Sequence, residues 1–307
     1  MWWYLIIRWR LRYLLLIIST TSWFRIWIGI EGILLVRAPA ILCKWDRRNR
    51  ERAIKYFIIQ AISGGIILGG LIFRSYVWIG VGLVIKLGIW PAYYWIITVY
   101  RGIKWFGVWW VGGLIKLPGW IIVELCPLVI YLRLISILVG SIGGVYVSDL
   151  KKLFGWRSIR HTGWITLLAS ISLNWINYLI AYLLLTGRVF YMLQSLEVSN
   201  IRQISLLRGS EVAILTIPIL SLAGLPPLAG FYLKWYALTT LWHRITTLII
   251  PLLLVLGARI YYYLQIRVWS LMRLEVKPTL TTAFRWKVQT LTHILRLRWL
   301  MLLLYEL

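Results

Sequence analysis

Residues 84–91 read Val-Ile-Lys-Leu-Gly-Ile-Trp-Pro and place Lys86 inside a long apolar run. A charge in the middle of a membrane span is costly, so it usually faces a protein or water-lined interior and serves a function. The glycine and the proline that follow the lysine disfavour a continuous helix and free backbone groups close to it. The stretch therefore predicts a discontinuous transmembrane helix with a functional lysine beside its break.

Residues 223–234, Ala-Gly-Leu-Pro-Pro-Leu-Ala-Gly-Phe-Tyr-Leu-Lys, contain the same features in reverse order, because the break comes first and Lys234 follows it. The two breaks are about five predicted spans apart and oppositely oriented, which is what an inverted repeat produces. Such repeats place discontinuous helices and ion sites near the middle of the membrane. We therefore expect Lys86 and Lys234 to belong to one ion path.

The composition is that of a membrane protein. Hydrophobic residues make up 61% of the 307 residues, whereas soluble domains are about half apolar. Apolar runs of roughly 18 or more residues recur from end to end, and they predict an all-α polytopic protein with about eleven transmembrane helices. The net charge of +25 would suggest nucleic acid in a soluble protein, but here positive charge in loops sets topology, and we expect no nucleic acid partner.

Three groups of basic residues lie between predicted spans, at 44–55, 151–160 and 267–287. Because an even number of predicted spans separates them, the positive-inside tendency places all three on one side, with the N-terminus inside and the C-terminus outside. Between the second and third groups we predict spans at roughly 161–187, 189–207, 211–242 and 246–267. A further span is predicted at roughly 289–304.

The predicted spans give a domain organisation of three parts. Residues 1–123 form the first inverted repeat and residues 124–267 the second. Residues 268–307 form a basic loop and a C-terminal transmembrane helix. Each repeat is expected to contain one discontinuous helix.

Other ionisable residues also fall inside predicted spans, among them Glu31, Arg37, Lys116 and Arg259. Glu31 is expected either to be protonated and hydrogen-bonded or to pair with a lysine of another span, since each charge would offset the other's desolvation. Lys116 lies close to a proline, and each lysine can alternatively cap carbonyls freed at a helix break. For Arg259, an exit-side charge and a snorkelling side chain are equally compatible with the sequence.

Buried lysines suit proton transfer, because desolvation disfavours their charged form and lets them exchange protons near neutral pH. A row of such groups with water between them can relay protons. The three histidines and two cysteines show no metal-ligand spacing, and the sequence shows no Ser/His/Asp grouping and no phosphate loop. We therefore predict no catalytic triad, no metal site and no redox centre on this chain.

Six stretches carry a resemblance to a known family. They are Trp-Ile-Gly-Ile-Glu at 27–31, Lys-Tyr-Phe-Ile-Ile-Gln-Ala at 55–61, Lys-Leu-Gly-Ile-Trp-Pro at 86–91, Ser-Ile-Arg-His-Thr-Gly-Trp at 158–164, Leu-Ser-Leu-Ala-Gly-Leu-Pro-Pro-Leu-Ala-Gly-Phe at 220–231 and Tyr-Tyr-Tyr-Leu at 261–264. Together, and in this order, they resemble the antiporter-like subunits of the proton-pumping NADH:ubiquinone oxidoreductase, respiratory complex I. The second and fourth stretches favour the subunit 2 group over its paralogues.

The resemblance implies a fold of two inverted five-helix repeats and a polar axis along the membrane plane. Carried over, the axis runs from Glu31 with Lys86 to Lys116 and then to Lys234, while His161 matches a family histidine that helps hydration or relay. The implied function is to translocate or relay protons, coupled to NADH oxidation and ubiquinone reduction in other subunits. No cofactor is expected on this chain, because NADH, FMN, iron–sulfur clusters and ubiquinone would bind those other subunits.

The resemblance also implies partners and a location. The partners are other membrane-arm subunits of complex I, including further antiporter-like subunits, and lipids. The sequence starts without the family's first spans, as in animal mitochondria, so we expect the mitochondrial inner membrane, with the N-terminus in the matrix and the C-terminus in the intermembrane space. One departure is that residues 91–95 read Pro-Ala-Tyr-Tyr-Trp, where the family usually has a histidine in third place.

Two other functions are compatible with the same residues. A subunit of a multi-subunit sodium/proton antiporter would share the broken helices and lysines but would not associate with NADH oxidation. A non-conducting structural spacer would keep the fold, and neutralising Lys116 or Lys234 would then affect assembly alone.

Overall fold

The computed structural model describes residues 8, 12–13, 15–17, 19, 22–42, 47–123, 130–144, 147, 149–169, 175–204, 207, 209–224 and 228–242. The predicted spans at roughly 246–267 and 289–304, the third basic group, Arg259 and the C-terminal part at 268–307 lie outside the described residues. So does most of the segment before residue 22.

The described residues form α-helices and no β-strands, which confirms the all-α fold. The helices, in chain order, are α1 Trp23–Leu42, α2 Arg47–Ile72, α3 Tyr76–Leu87, α4 Tyr94–Gly102, α5 Trp105–Gly112, α6 Leu117–Val123, α7 Ile130–Ile142, α8 Leu150–Ala169, α9 Trp175–Ser195, α10 Ile201–Ile204, α11 Gly209–Ala223 and α12 Ala229–Trp242. Both predicted breaks are present, between α3 and α4 and between α11 and α12.

Among the described residues, three helical segments are long and apolar enough to cross a membrane: Glu51–Ile72, Trp105–Ile122 and Trp175–Ser195. The second of these includes a turn between α5 and α6. Helix α2 exposes Ile54, Ile58 and Ile62, which recur every four residues on one face. An exposed apolar face on a helix whose backbone is satisfied internally suits contact with lipid.

Helices α1, α2 and α3 pack through small residues. A Cβ on Gly82 of α3 would lie 3.0 Å from the carbonyl oxygen of Ser63 on α2, so only a glycine allows this approach. The indole Nε1 of Trp27 on α1 donates to the carbonyl oxygen of Gly64 on α2 at 2.9 Å. Small residues and polar contacts of this kind are the usual means of joining helices in membranes, where the hydrophobic effect does not drive helix association.

The chain forms two compact units. The first comprises Met1–Gly140 and Phe154–Ser172, and the second comprises Ser141–Leu153 and Leu173–Leu307. Glu31, Lys86, Lys116 and His161 belong to the first unit, and Lys234 belongs to the second. The division into inverted repeats at 1–123 and 124–267 stays a prediction.

The structure corrects the predicted boundaries around residue 160. Helix α8 begins at Leu150 and ends at Ala169, and α9 covers Trp175–Ser195, so the spans predicted at 161–187 and 189–207 are wrong. Arg157 and Arg160 belong to α8 and are each 4% exposed, so they are not in a basic loop. Every residue from 153 to 169 except Trp156 is buried. The hydropathy of the sequence predicted the wrong helix boundaries here because α8 buries polar and basic side chains inside the protein.

Candidate functional site

Helix α3 ends directly after Lys86, and the chain turns at Gly88. Gly88 has a left-handed backbone with φ 69°, which a glycine adopts without steric cost. Its N–H donates to the carbonyl oxygen of Ile85 at 3.2 Å, and the Ile89 N–H donates to that of Val84 at 3.0 Å. These two bonds close the last turn of α3 in the pattern of a Schellman cap.

Side chains from three helices satisfy the remaining backbone groups at this break. Trp95 Nε1 donates to the carbonyl oxygen of Ile85 at 3.1 Å, and Gln60 Nε2 donates to that of Lys86 at 3.2 Å. The Trp90 N–H donates to Ser136 Oγ at 2.9 Å. Because these carbonyls have other donors, the ammonium of Lys86 is not required to cap the break.

The ammonium of Lys86 instead donates to Glu31 Oε1 at 2.9 Å. The side chains of Lys86 and Glu31 are 12% and 20% exposed. Of the two alternatives that the sequence leaves for Glu31, this is the pairing with a lysine of another helix. In so little solvent each charge offsets the desolvation cost of the other.

A glycine makes room for the carboxylate of Glu31. A Cβ on Gly64 of α2 would lie 1.9 Å from Glu31 Oε1, whereas a Cβ on Gly65 would have nothing within 4 Å. Because Trp27 binds the carbonyl of Gly64, α1 is held against α2 at the level of the ion pair. In the Ser-Gly-Gly sequence at 63–65, Gly64 has no side chain and therefore leaves space for the carboxylate of Glu31 beside Lys86.

Lys116 is 2% exposed and has hydroxyl partners. Its ammonium donates to Thr162 Oγ1 at 2.7 Å and to Ser158 Oγ at 3.2 Å. The Thr162 hydroxyl donates in turn to the carbonyl oxygen of Ser158 at 2.8 Å, which fixes its orientation. No carboxylate among the described residues lies within 4.0 Å of this ammonium.

Lys116 also lies at a helix interruption, between α5 and α6. The Ile115 N–H donates to the carbonyl oxygen of Trp110, one residue beyond the α-helical partner, and the Lys116 N–H donates to that of Gly113. Pro118 has no N–H to donate. Local departures of this kind within a helix occur often at functional sites.

Lys86 and Lys116 line one small cavity of about 20 Å³. Gln60 lines it as well, and the other lining side chains are apolar. A volume of this size is enough for a water molecule, provided that it finds two to four polar partners. The cavity therefore brings the two predicted lysines into one site.

His161 lies on α8 next to Thr162 and is 4% exposed. The structure does not bring it to Lys116, whose hydrogen bonds go to Ser158 and Thr162. Neighbouring residues on a helix point about 100° apart, so His161 faces another side of α8. Its predicted role stays a prediction.

Lys234 lies beside the second break and is 5% exposed. Gly224, which follows α11, has φ 80°, and a Cβ there would lie 2.1 Å from Lys234 Nζ. The ammonium thus lies at the carboxyl end of α11, where the helix dipole stabilises a cation. The sequence left open that each lysine caps carbonyls at a helix break. The position of Lys234 fits this alternative better than the position of Lys86 does.

Sequence reasoning missed Gln60, Gly64, Ser158 and Thr162. Gln60, Ser158 and Thr162 lie within stretches that carry the family resemblance. Ser158 and Thr162 also have the i, i+4 spacing that places two side chains on one face of a helix. Gly64 left no signal beyond the Gly-Gly pair. No three His, Cys, Asp or Glu side chains cluster in a way that could hold a metal ion within the part of the chain that the structure describes.

Comparison with known proteins gives consistent matches. The family model described as NADH:quinone oxidoreductase/Mrp antiporter, TM, matches residues 71–260. The NADH-ubiquinone oxidoreductase chain 2 of Patiria pectinifera is 30% identical, over 89% of this chain and 84% of the relative. The protein of the same name from Mus musculus is 32% identical, over 73% of this chain and 72% of the relative.

Solved structures share the fold. A chain of respiratory complex I from Thermus thermophilus with bound aureothin superposes with a TM-score of 0.76 at 22% identity, covering 88% of this chain and 70% of that one. A chain of the Mrp complex from Dietzia sp. DQ12-45-1b gives a TM-score of 0.69 at 15% identity, covering 79% and 55%. At these identities the likeness concerns the fold alone.

Proposed function

The chain belongs to the NADH:quinone oxidoreductase/Mrp antiporter transmembrane family, and we propose that it is the antiporter-like membrane-arm subunit of a respiratory complex I. In this role it translocates or relays protons while other subunits oxidise NADH and reduce ubiquinone. NADH, FMN, iron–sulfur clusters and ubiquinone bind those other subunits. The names of the curated relatives support this assignment.

The observation that carries the proposal is the cavity that Lys86 and Lys116 share. Lys86 has a carboxylate partner, and Lys116 has hydroxyl partners. A charge change that arrives from a neighbouring subunit shifts the Glu31–Lys86 pair, and the field at Lys116 changes with it. Lys116 then takes up or releases a proton through water in the cavity.

The proton path continues to Lys234 in the second unit, and His161 assists hydration along it. The chain is a membrane protein of the mitochondrial inner membrane in this proposal, with its N-terminus in the matrix and its C-terminus in the intermembrane space. Its partners are the other membrane-arm subunits, further antiporter-like subunits among them, and lipids.

A subunit of a sodium/proton antiporter is the second candidate, because the Mrp complex shares the fold and the family model covers both groups. Such a subunit would use the same lysines without NADH oxidation. Sodium dependence of proton transport would distinguish it from the proposed complex I subunit.

The first test is purification of the membrane complex that contains this chain, in mild detergent, with an assay of inhibitor-sensitive NADH:quinone reduction. We expect the chain to co-purify with this activity. Purification of the chain alone, or with transporter subunits that lack the activity, would contradict the complex I assignment and favour the antiporter.

The second test uses Lys86→Met in the same complex. We expect an assembled complex with NADH-driven proton uptake reduced to background. Lys55→Met is the matched control, because Lys55 forms an exposed ion pair with Glu51 on α2, and exposed pairs contribute little. Normal proton uptake in the Lys86→Met complex would refute the proposed mechanism.

A further inference from the structure

Gln60 on α2 is a buried amide, 3% exposed, placed at the break that follows Lys86. Its Nε2 donates to the carbonyl oxygen of Lys86 at 3.2 Å. In a continuous helix that carbonyl would accept from the Trp90 N–H, four residues on. The Trp90 N–H donates to Ser136 Oγ instead, so Gln60 replaces the missing helical hydrogen bond at the residue that carries the ion pair.

Gln60 also lines the cavity between Lys86 and Lys116. The other lining side chains, apart from the two lysines, come from Ile30, Ile33, Leu34, Leu87, Ile115 and Pro118, with Gly119 adding backbone alone. A charged lysine donates hydrogen bonds and accepts none. Among the described side chains that line this cavity, the amide oxygen of Gln60 is therefore the one hydrogen-bond acceptor when both lysines are charged.

A water between two lysines needs such an acceptor. The water can accept one hydrogen bond from each ammonium. Its own hydrogens must also find an acceptor, because an unsatisfied polar group in an apolar cavity is costly. One Nε2 hydrogen binds the carbonyl of Lys86, and the amide oxygen of Gln60 is the acceptor that can orient that water. The same side chain holds the end of α3 and is placed to direct a water in the cavity.

We propose that Gln60 is a positioning residue for proton transfer between Lys86 and Lys116. Its Nε2 holds the broken end of α3, and its amide oxygen orients the cavity water along the line between the two amines. When one lysine is neutral, the water directs one hydrogen to its amine and the other to the amide oxygen of Gln60. The proton passes from the ammonium of the other lysine to the water as the water passes a proton to the neutral amine, so charge and atoms balance. This inference rests on the proposed function.

The test compares Gln60→Met with Ser136→Ala in the assembled complex reconstituted into liposomes, with NADH oxidation and proton uptake recorded together. Ser136 binds the other freed group of the same break but does not line the cavity. We expect Gln60→Met to lower the proton uptake rate about tenfold, since misplacing a reacting group has effects of this order or larger. Ser136→Ala should stay within about twofold of wild type.

A readout specific to water orientation comes from Gln60→Glu, which keeps both the size and an acceptor oxygen. Its protonated carboxyl group can also donate to the carbonyl of Lys86, whereas the ionised form cannot. We expect proton uptake within about threefold of wild type where the carboxyl group is protonated and a fall in the rate as it ionises. If Gln60→Met does not assemble, Gln60→Asn replaces it. Its amide is one methylene too short to reach both the carbonyl and the water, so the same loss is expected.

Three results would overturn the inference. Normal uptake in Gln60→Met or Gln60→Asn would do so, as would an equal loss in Ser136→Ala, because the effect would then belong to the break and not to the cavity. A Gln60→Glu complex that is as impaired as Gln60→Met where its carboxyl group is protonated would exclude the acceptor role. If Lys86→Met still loses uptake, only the role of Gln60 has failed. If Lys86→Met is also normal, the proposed function has failed with it.

Discussion

Lys86 and Lys116 lie on one cavity but in different electrostatic surroundings. Lys86 donates to the carboxylate of Glu31, whereas Lys116 donates to the hydroxyls of Ser158 and Thr162. A carboxylate neutralises the charge of its partner, while hydroxyls only solvate it. Lysines in one row can therefore perform different tasks. In the proposed mechanism the charge that arrives from a neighbouring subunit acts first on Lys86 with Glu31, and Lys116, which has no carboxylate partner among the described residues, exchanges protons with Lys86 through the cavity.

The largest expected effect concerns the second site. Lys116→Met should reduce NADH-driven proton uptake to background, because the hydroxyl pair then has no titratable group to solvate. Proton uptake and NADH oxidation are measured in liposomes with equal amounts of assembled complex. Lys104→Met serves as the control, since Lys104 is an exposed residue of the same segment. If both variants behave alike, the effect does not belong to the buried site of Lys116, and the proposed proton exchange there is contradicted.

Glu31→Gln should have the next largest effect, on the first site. The substitution leaves Lys86 without its counter-ion in surroundings where few other groups can replace it, and we expect a loss of roughly tenfold in proton uptake. Glu51→Gln, in the exposed ion pair with Lys55, should change the rate little. Uptake at wild-type level in Glu31→Gln would show that charge neutralisation at Lys86 is not needed.

Gly64→Ala tests the same ion pair without removing a charge. The new Cβ would occupy the position of Glu31 Oε1, so the flexible carboxylate must move away from Lys86. We expect a loss smaller than that of Glu31→Gln, about threefold to fivefold. Gly65→Ala is the matched control, because its Cβ meets nothing within 4 Å, and an equal loss in both variants would point to a general effect on α2.

The smallest effect is expected at the hydroxyls. Thr162→Val keeps the shape of the side chain and removes the shorter hydrogen bond to Lys116, so proton uptake should fall about twofold to fourfold. Ser158→Ala, which removes the longer bond, should have less effect. Thr166→Val is a control on the same helix, because the Thr166 hydroxyl binds only backbone carbonyls of α8. A larger loss in Thr166→Val than in Thr162→Val would contradict the assignment.

Features with a local signal could be predicted from the sequence. Glycine and proline mark both helix breaks within a few residues, and a charge inside an apolar run marks Glu31, Lys86, Lys116 and Lys234. The boundaries of α8 could not be predicted, because hydropathy cannot distinguish a loop from a polar helix that the protein buries. The partners of Lys116 could not be predicted either, since Ser158 and Thr162 are more than forty residues away along the chain.

The central claim is that Lys116 exchanges a proton, and Lys116→Arg tests it most directly. Arginine keeps a positive charge and hydrogen-bond donors, but it does not release its proton in proteins. Proton uptake driven by NADH is measured in liposomes that contain the assembled Lys116→Arg complex. We predict that uptake is lost although the charge is retained. Uptake at the wild-type rate would show that a fixed positive charge is sufficient there and would contradict proton exchange at Lys116.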